Sequence, residues 1–229
     1  MKNYIIIFCL IAISGYPPKG KEKLITRLFN GYSLEGWHMD VPALDTSDVS
    51  SPFIVRDSLL VSLGIPQGHL ITDSIYKDYQ LELEYRFPKE PGNCGVLVHV
   101  SDSRALYDMF PKSIEIQLKH ENAGDFWCIQ QDIAVNNMEE RRGKKSNWGI
   151  SEGKERRIIN LTDGSEKPLG EWNYFKAQCK KDSIRVWIND VLVNEGFGCT
   201  ATEGQIAIQA EGAEVEFKNI IHTKLKSNR

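Results

Sequence analysis

The run "YQLELEYRF", Tyr79 to Phe87, sends Leu81, Leu83, Tyr85 and Phe87 to one side and Gln80, Glu82, Glu84 and Arg86 to the other. That period of two is the signature of a half-buried β-strand, because successive side chains of an extended backbone point to opposite faces. The same alternation recurs at Gly95 to Val100, Ser113 to Leu118, Tyr174 to Lys180, Ile184 to Ile188, Gln205 to Gln209 and Val215 to Leu225. Turn-forming "PGN", "KKD", "ND" and "EG" steps separate these runs. No segment sustains a helical period. The pattern predicts an all-β chain of two packed antiparallel sheets, a sandwich or jelly roll. Residues 136–154, rich in charge, Gly and Asn, read as a long surface loop of the kind that more often carries function than not.

At 229 residues, with 41% hydrophobic and 26% charged side chains, the chain is long enough to bury a full core within one domain. A net charge of -3 and a pI near 6.0 supply no basic stripe, so nucleic acid is not an expected partner. The opening "MKNYIIIFCLIAISGYPPKGKEK" has one early lysine, an apolar run and small residues around Ala12 and Ser14. This is the layout of a secretory signal, and the apolar run is too short to span a bilayer. The expected organisation is a signal at 1–15, a linker at 16–27 and a single domain at 28–226. An exported protein, periplasmic or secreted, follows, with no membrane insertion once the signal is removed. Cys94, Cys128, Cys179 and Cys199 then remain, too widely spaced for a disulfide scaffold or zinc pattern, and read as small apolar residues.

One segment, "MFPKSIEIQLKHENAGDFW" from Met109 to Trp127, begins as a strand and ends in polar chemistry. Ile114, Ile116 and Leu118 share a face; Glu115 and Gln117 share the other. His120, Asp125 and the aromatic Phe126 and Trp127 follow directly.

Eight stretches in order resemble the 3-keto-disaccharide hydrolase family. They are "LFNGYSLEGW" (28–37), "GHLIT" (68–72), "YKDYQLELEYRF" (76–87), "GNCGVLVHV" (92–100), "PKSIEIQ" (111–117), "GDFW" (124–127), "GEWNYFKAQCKKDSIRVWIND" (170–190) and "GQIAIQAEGAEVEFKNIIHTKL" (204–225). The resemblance implies a concanavalin A-like jelly roll acting on glycosides oxidised to a ketone at carbon 3, by hydrolysis or elimination. This sequence departs from the family pattern at Cys94, where Ser is usual, and at His99, where many members carry Arg.

A ketone at carbon 3 acidifies the proton on carbon 2, so one positioned base starts the expulsion of the group on carbon 1. The usual pair of flanking carboxylates is then unnecessary. Glu115 is the expected base, with His99 and His120 as catalytic partners for an enolate oxygen or departing alkoxide. Gln117, Asp125, Trp127, Asn93 and Trp148 are the expected sugar contacts. Each residue also has a plain structural reading. Glu115 and Gln117 would be the wet face of an edge strand, His99 a core histidine, His120 a loop residue, Asp125 a turn cap and Trp127 core. "NWG", 147–149, offers an exposed aromatic in the long loop. His99, His120, Glu115 and Asp125 would supply a mixed N/O donor set if a divalent metal takes part. The alternatives to a 3-keto-glycoside enzyme are a non-catalytic carbohydrate-binding, laminin G-like module and a classical glycosidase.

Overall fold

The computed structural model describes residues 24–226, so the expected signal at 1–15 and most of the expected linker lie outside the described residues. In chain order the strands begin with β1 (Ile25–Arg27), β2 (Trp37–Asp40), β3 (Phe53–Arg56), β4 (Leu59–Ser62), β5 (Gly68–Thr72) and β6 (Tyr76–Lys77). The middle of the chain forms β7 (Tyr79–Arg86), β8 (Gly95–Leu106), β9 (Phe110–Gln117), β10 (Phe126–Ile129) and β11 (Arg157–Ile158). The last five are β12 (Asn173–Lys180), β13 (Ser183–Ile188), β14 (Val191–Gly196), β15 (Glu203–Ala210) and β16 (Val215–Lys224). Two short helices, α1 (Pro42–Thr46) and α2 (Met138–Arg142), interrupt them.

These strands build two antiparallel sheets. The first runs β14-β13-β12-β7-β16-β4-β3, with β1 beside β16, and the second runs β11-β10-β9-β8-β15-β5-β2, with β6 beside β15. The fold is a jelly-roll sandwich, and the alternation of β7 explains its layers. Leu81, Leu83 and Tyr85 are fully buried against Val96, Val98, Ile114, Ile116 and Ile208 of the opposite sheet. Burial of aliphatic and aromatic side chains on this scale, about 25 cal/mol per Å² of apolar surface, is the principal stabilising contribution. Cys94, Cys128, Cys179 and Cys199 are free and buried, consistent with their reading as small apolar residues. Part of the expected linker is structured: Ile25 to Arg27 pair with Thr223 to Ile221.

A second, smaller apolar cluster lies on the outer face of the second sheet. Ile71, Leu97, Val100, Leu106, Ile129 and Ala207 gather there with Phe110. The β8–β9 hairpin makes it by extending past the sheet and turning at Tyr107 and Asp108, both at positive φ (55 and 51). Two successive left-handed residues are what a tight primed hairpin turn demands. The hairpin tip thereby becomes a wall over the outer face.

The expected long loop at 136–154 is partly helical and firmly held. Arg142, almost fully buried, donates to Asp132 at 2.6 Å and to the carbonyls of Gly149 at 2.6 Å and Glu155 at 2.9 Å. Arg141 donates to the Ile159 carbonyl at 2.7 Å and to Asn194 at 2.6 Å. The charge that suggests a solvated loop instead satisfies backbone carbonyls inside it.

Candidate functional site

β9 lies between β8 and β10 and is not an edge strand, so its polar residues are not simply washed by solvent. Ile114 and Ile116 enter the core, which forces Glu115 and Gln117 onto the outer face. There a cavity of about 350 Å³ is lined by Asn93, Tyr107, Phe110, Glu115, Gln117, Lys119, Trp127, Ile129, Arg156 and Glu211.

Glu115 is the floor of this cavity and only 5% exposed. Its Oε1 makes no hydrogen bond within the chain. Burial pushes its pKa up to about 8, Glu211 pushes the same way, and Arg156 opposes them. Glu211 is itself raised by burial, with Lys119 acting against the shift, and accepts a hydrogen bond from Asn93 at 2.7 Å. Gln117 has turned its side-chain oxygen to the backbone, accepting from the amides of Leu118 at 3.2 Å and Lys119 at 3.1 Å.

Space for the Glu115 carboxylate comes from Gly95 on the neighbouring strand. A Cβ at Gly95 would stand 2.5 Å from Glu115 Oε1 and 2.8 Å from its Cγ. Gly95→Ala is therefore expected to displace the carboxylate and to cost about 1–3 kcal/mol of stability, which thermal unfolding of the two proteins checks.

Arg156 lines the same cavity, its guanidinium 5.3 Å from the Trp127 ring and 5.6 Å from the Tyr107 ring. Its position is held from both sides. The Arg156 carbonyl accepts from Cys128 N–H at 3.0 Å, and Arg157 pairs with Asp125 at 2.7 Å. Asp125, 1% exposed, also accepts from the Asn160 amide at 2.7 Å. It does not line the cavity; it is a positioning residue for the segment that delivers Arg156.

The expected cluster is thus only partly assembled. Glu115, Gln117, Trp127 and Asn93 share the cavity, while His99, His120, Asp125 and Trp148 stand outside it. Strict alternation along β8 would put His99 beside Leu97 on the outer face, next to Glu115. Instead the β8–β9 register shifts between Val98 and Ser101, and His99 takes φ 55. This bulge turns its ring inward, edge-on to the core residue Tyr79 at 6.4 Å. Gly204 makes room for it, since a Cβ there would collide with the backbone of His99. Buried at 1% exposure, with its pKa lowered by burial to about 4, His99 is a neutral core imidazole on the face opposite Glu115. His120 follows Lys119 around the end of the strand and faces Glu166, 3.8 Å away, instead of the cavity. Trp148 donates its indole N–H to the Gly143 carbonyl at 2.8 Å and packs near Arg142. The four donors His99, His120, Glu115 and Asp125 therefore do not meet as a metal set.

Residues 25–221 match the model of the 3-keto-α-glucoside-1,2-lyase-like domain. The chain belongs to this family. Membership makes it a carbohydrate-active protein. No curated protein matches the sequence. Among solved structures, the chain is similar to a Parabacteroides distasonis protein whose glycosyl hydrolase assignment is provisional. The two share 21% identity over 88% of this chain and 94% of that one, with a TM-score of 0.60. It is also similar to the carbohydrate-binding module CBM66 from Bacillus subtilis, at 11% identity over 82% and 96% of the two chains, TM-score 0.53. A Bacillus subtilis protein with a galectin-like fold aligns at 12% identity over 88% and 96%, TM-score 0.52. At these identities the structural likenesses establish the jelly roll.

In this family member, the cavity residues that sequence reasoning passed over are Tyr107, Phe110, Lys119, Ile129, Arg156 and Glu211. Glu211 had a signal, since Gln205, Gln209 and Glu211 continue one alternating polar face through "GQIAIQAEG". Arg156 had none, because "KERR" reads as a solvated charge run until the fold lays it across the sheet.

Proposed function

We propose that this protein cleaves the glycosidic bond of 3-keto-glycosides, with Glu115 as the base that removes the proton on carbon 2. The observation that carries this reading is a buried carboxylate with a free oxygen that shares a sugar-sized cavity with a guanidinium. An efficient general base has a pKa near the working pH, and burial gives Glu115 that property. In the elimination route, Glu115 takes the carbon 2 proton and the electron pair passes into the enolate of the carbon 3 ketone. Collapse of the enolate restores the ketone, forms the double bond between carbons 1 and 2, and breaks the bond to the departing oxygen. Arg156 and Lys119 are the cations placed to balance the enolate charge, and Trp127 supplies an apolar ring face for the sugar. In the hydrolytic route, addition of water across that double bond completes the reaction. Export, read from residues 1–15, belongs to the same proposal.

A binding module on this fold needs an aromatic platform and hydrogen bonds, but gains nothing from a desolvated carboxylate. The direct test is incubation of the purified protein with matched oxidised and unoxidised disaccharides, with and without a divalent metal. Cleavage restricted to the oxidised sugar is expected. Equal or faster cleavage of the unoxidised sugar would assign a classical glycosidase, and cleavage of neither a binding module.

The pH dependence has a definite sign. Only ionised Glu115 accepts a proton, so kcat/KM should rise from acidic pH and level off above an apparent pKa near 8. Glu211→Gln removes a neighbouring negative charge and should move that midpoint to lower pH. A pH–rate profile of both proteins checks this; an unmoved midpoint would separate Glu211 from the titration.

A further inference from the structure

A cavity of about 440 Å³, larger than the one at Glu115, opens at the other end of β15. It is lined from β16 of the first sheet by His222 and Lys224, and from β6 of the second by Tyr76 and Lys77. β6 pairs with β15 at Glu203 and Gly204, whereas Glu211 of the Glu115 cavity follows the last residue of that strand. Eight residues separate Glu203 from Glu211 (211 − 203). At about 3.3 Å for each, about 26 Å of strand lies between the two cavities.

His222 is the feature of this cavity that packing does not explain. It is 6% exposed, and neither ring nitrogen makes a hydrogen bond within the chain. Its ring centroid lies 4.5 Å from that of Tyr76 and 5.5 Å from that of Tyr79. A phenylalanine would make the same ring contacts without stripping water from two polar atoms. Burial, and then the ammonium of Lys224, lower the His222 pKa, so the imidazole is neutral at pH 7 with one N–H to donate. Lys77 pairs with Glu203 at 3.3 Å, while Lys224 has no ion pair among the described residues. Asp78 is engaged elsewhere, accepting from the Lys181 amide at 2.7 Å. Ile75, 69% exposed, and Leu225 complete an apolar wall beside Tyr76.

These groups select a ligand class. A sugar draws on several fixed donors and acceptors, and His222 is the one buried polar side chain among the residues lining this cavity. An inorganic anion would leave Tyr76, Ile75 and Leu225 without a contact, and a neutral apolar molecule would leave the His222 N–H and Lys224 without one. We infer that this mouth of the sandwich is a second ligand site, separate from glycoside cleavage, for a planar organic carboxylate whose apolar body lies against Tyr76, Ile75 and Leu225 and whose carboxylate meets the His222 N–H and the Lys224 ammonium.

The test is calorimetric titration of the purified protein with cinnamate, cinnamamide and acetate. Cinnamate should bind with a Kd of about 0.1–1 mM, cinnamamide at least about 10-fold more weakly, and acetate more weakly still. His222→Phe and Lys224→Gln should each weaken cinnamate binding by about 10-fold or more. The melting temperature of His222→Phe should stay level or rise, because an unsatisfied polar ring has been replaced by an apolar one, and Lys224 is exposed, so neither loss would reflect a damaged fold. Arg156→Gln, in the distant Glu115 cavity, should bind cinnamate as wild type does. No binding by wild type, equal binding of cinnamamide, or unchanged affinity in both His222→Phe and Lys224→Gln would overturn the site. So would a loss confined to Arg156→Gln, which would place the carboxylate in the Glu115 cavity. None of these readouts uses glycoside cleavage, so failure of the catalytic reading and failure of this site are told apart.

Discussion

Glu115→Gln is expected to lower the cleavage rate of a 3-keto-glycoside by about 10²- to 10⁴-fold while leaving its affinity nearly unchanged. The amide keeps the shape of the side chain on the cavity floor but has no lone pair basic enough to take the carbon 2 proton. A binding module would show no rate to lose, so kinetics and titration together separate the two functions. The same variant has a second, independent signature. Below the ordinary glutamate pKa of 4.5, folded and unfolded chains both carry a neutral Glu115, and the group has no influence on stability. Between that value and about 8 the folded chain holds a proton that the unfolded chain has released, so stability falls as pH rises. Glutamine cannot ionise and escapes this loss. The melting temperature of Glu115→Gln should therefore exceed that of wild type by a margin that grows from pH 5 to 8. Each tenfold difference in proton affinity between the folded and unfolded chains is worth about 1.4 kcal/mol, and each kcal/mol moves the melting temperature by about 2–4 °C. A variant that melts lower than wild type at pH 8 would mean that the carboxylate is held by interactions other than those seen around Oε1.

Arg156→Gln is the second large effect, expected at about 10²- to 10³-fold in kcat, the usual cost of removing a preorganised group that faces developing negative charge. Because Arg156 also holds down the pKa of Glu115, its loss should move the midpoint of the pH–rate profile to higher pH. A purely structural role would lower activity without moving that midpoint. Arg156→Lys should recover part of the rate, since it keeps the charge while losing the planar face that lies over Trp127 and Tyr107. Rates unaffected by either substitution would leave Lys119 as the cation of the site. Asp125→Asn offers a milder comparison. It weakens the pair with Arg157 without touching the cavity, so it should reduce kcat less than loss of Arg156 itself.

Legibility differs between the strands and the site. The strands at Tyr79–Arg86, Asn173–Lys180 and Ser183–Ile188 are readable because each buries one face only, which writes a period of two into the sequence. β5 is harder to read from alternation, since Gly68 to Thr72 are buried on both faces: the core lies on one side and the outer cluster beneath the hairpin on the other. The short β10 and β11 are stabilised by pairing with each other across a long stretch of chain, Phe126 with Ile158 and Trp127 with Arg157.

Glu115 and Gln117 can be placed together from the sequence because residues two apart on a strand share a face wherever that strand goes. That relation, with the core face of Ile114 and Ile116, is local and needs no tertiary information. His99 shows where local reasoning stops. A single bulge between Val98 and Ser101, stabilised by long-range pairing and by the absence of a side chain at Gly204, reverses the face to which the imidazole points. Arg156 and Glu211 reach Glu115 from 41 and 96 residues further along the chain (156 − 115 and 211 − 115), brought there by strand order. The amino-acid sequence by itself determined the all-β class, the inward and outward faces of its strands and the carboxylate at position 115. Only the tertiary structure decided which charges surround that carboxylate and that it is buried, because burial and long-range electrostatics depend on distances that sequence separation does not encode.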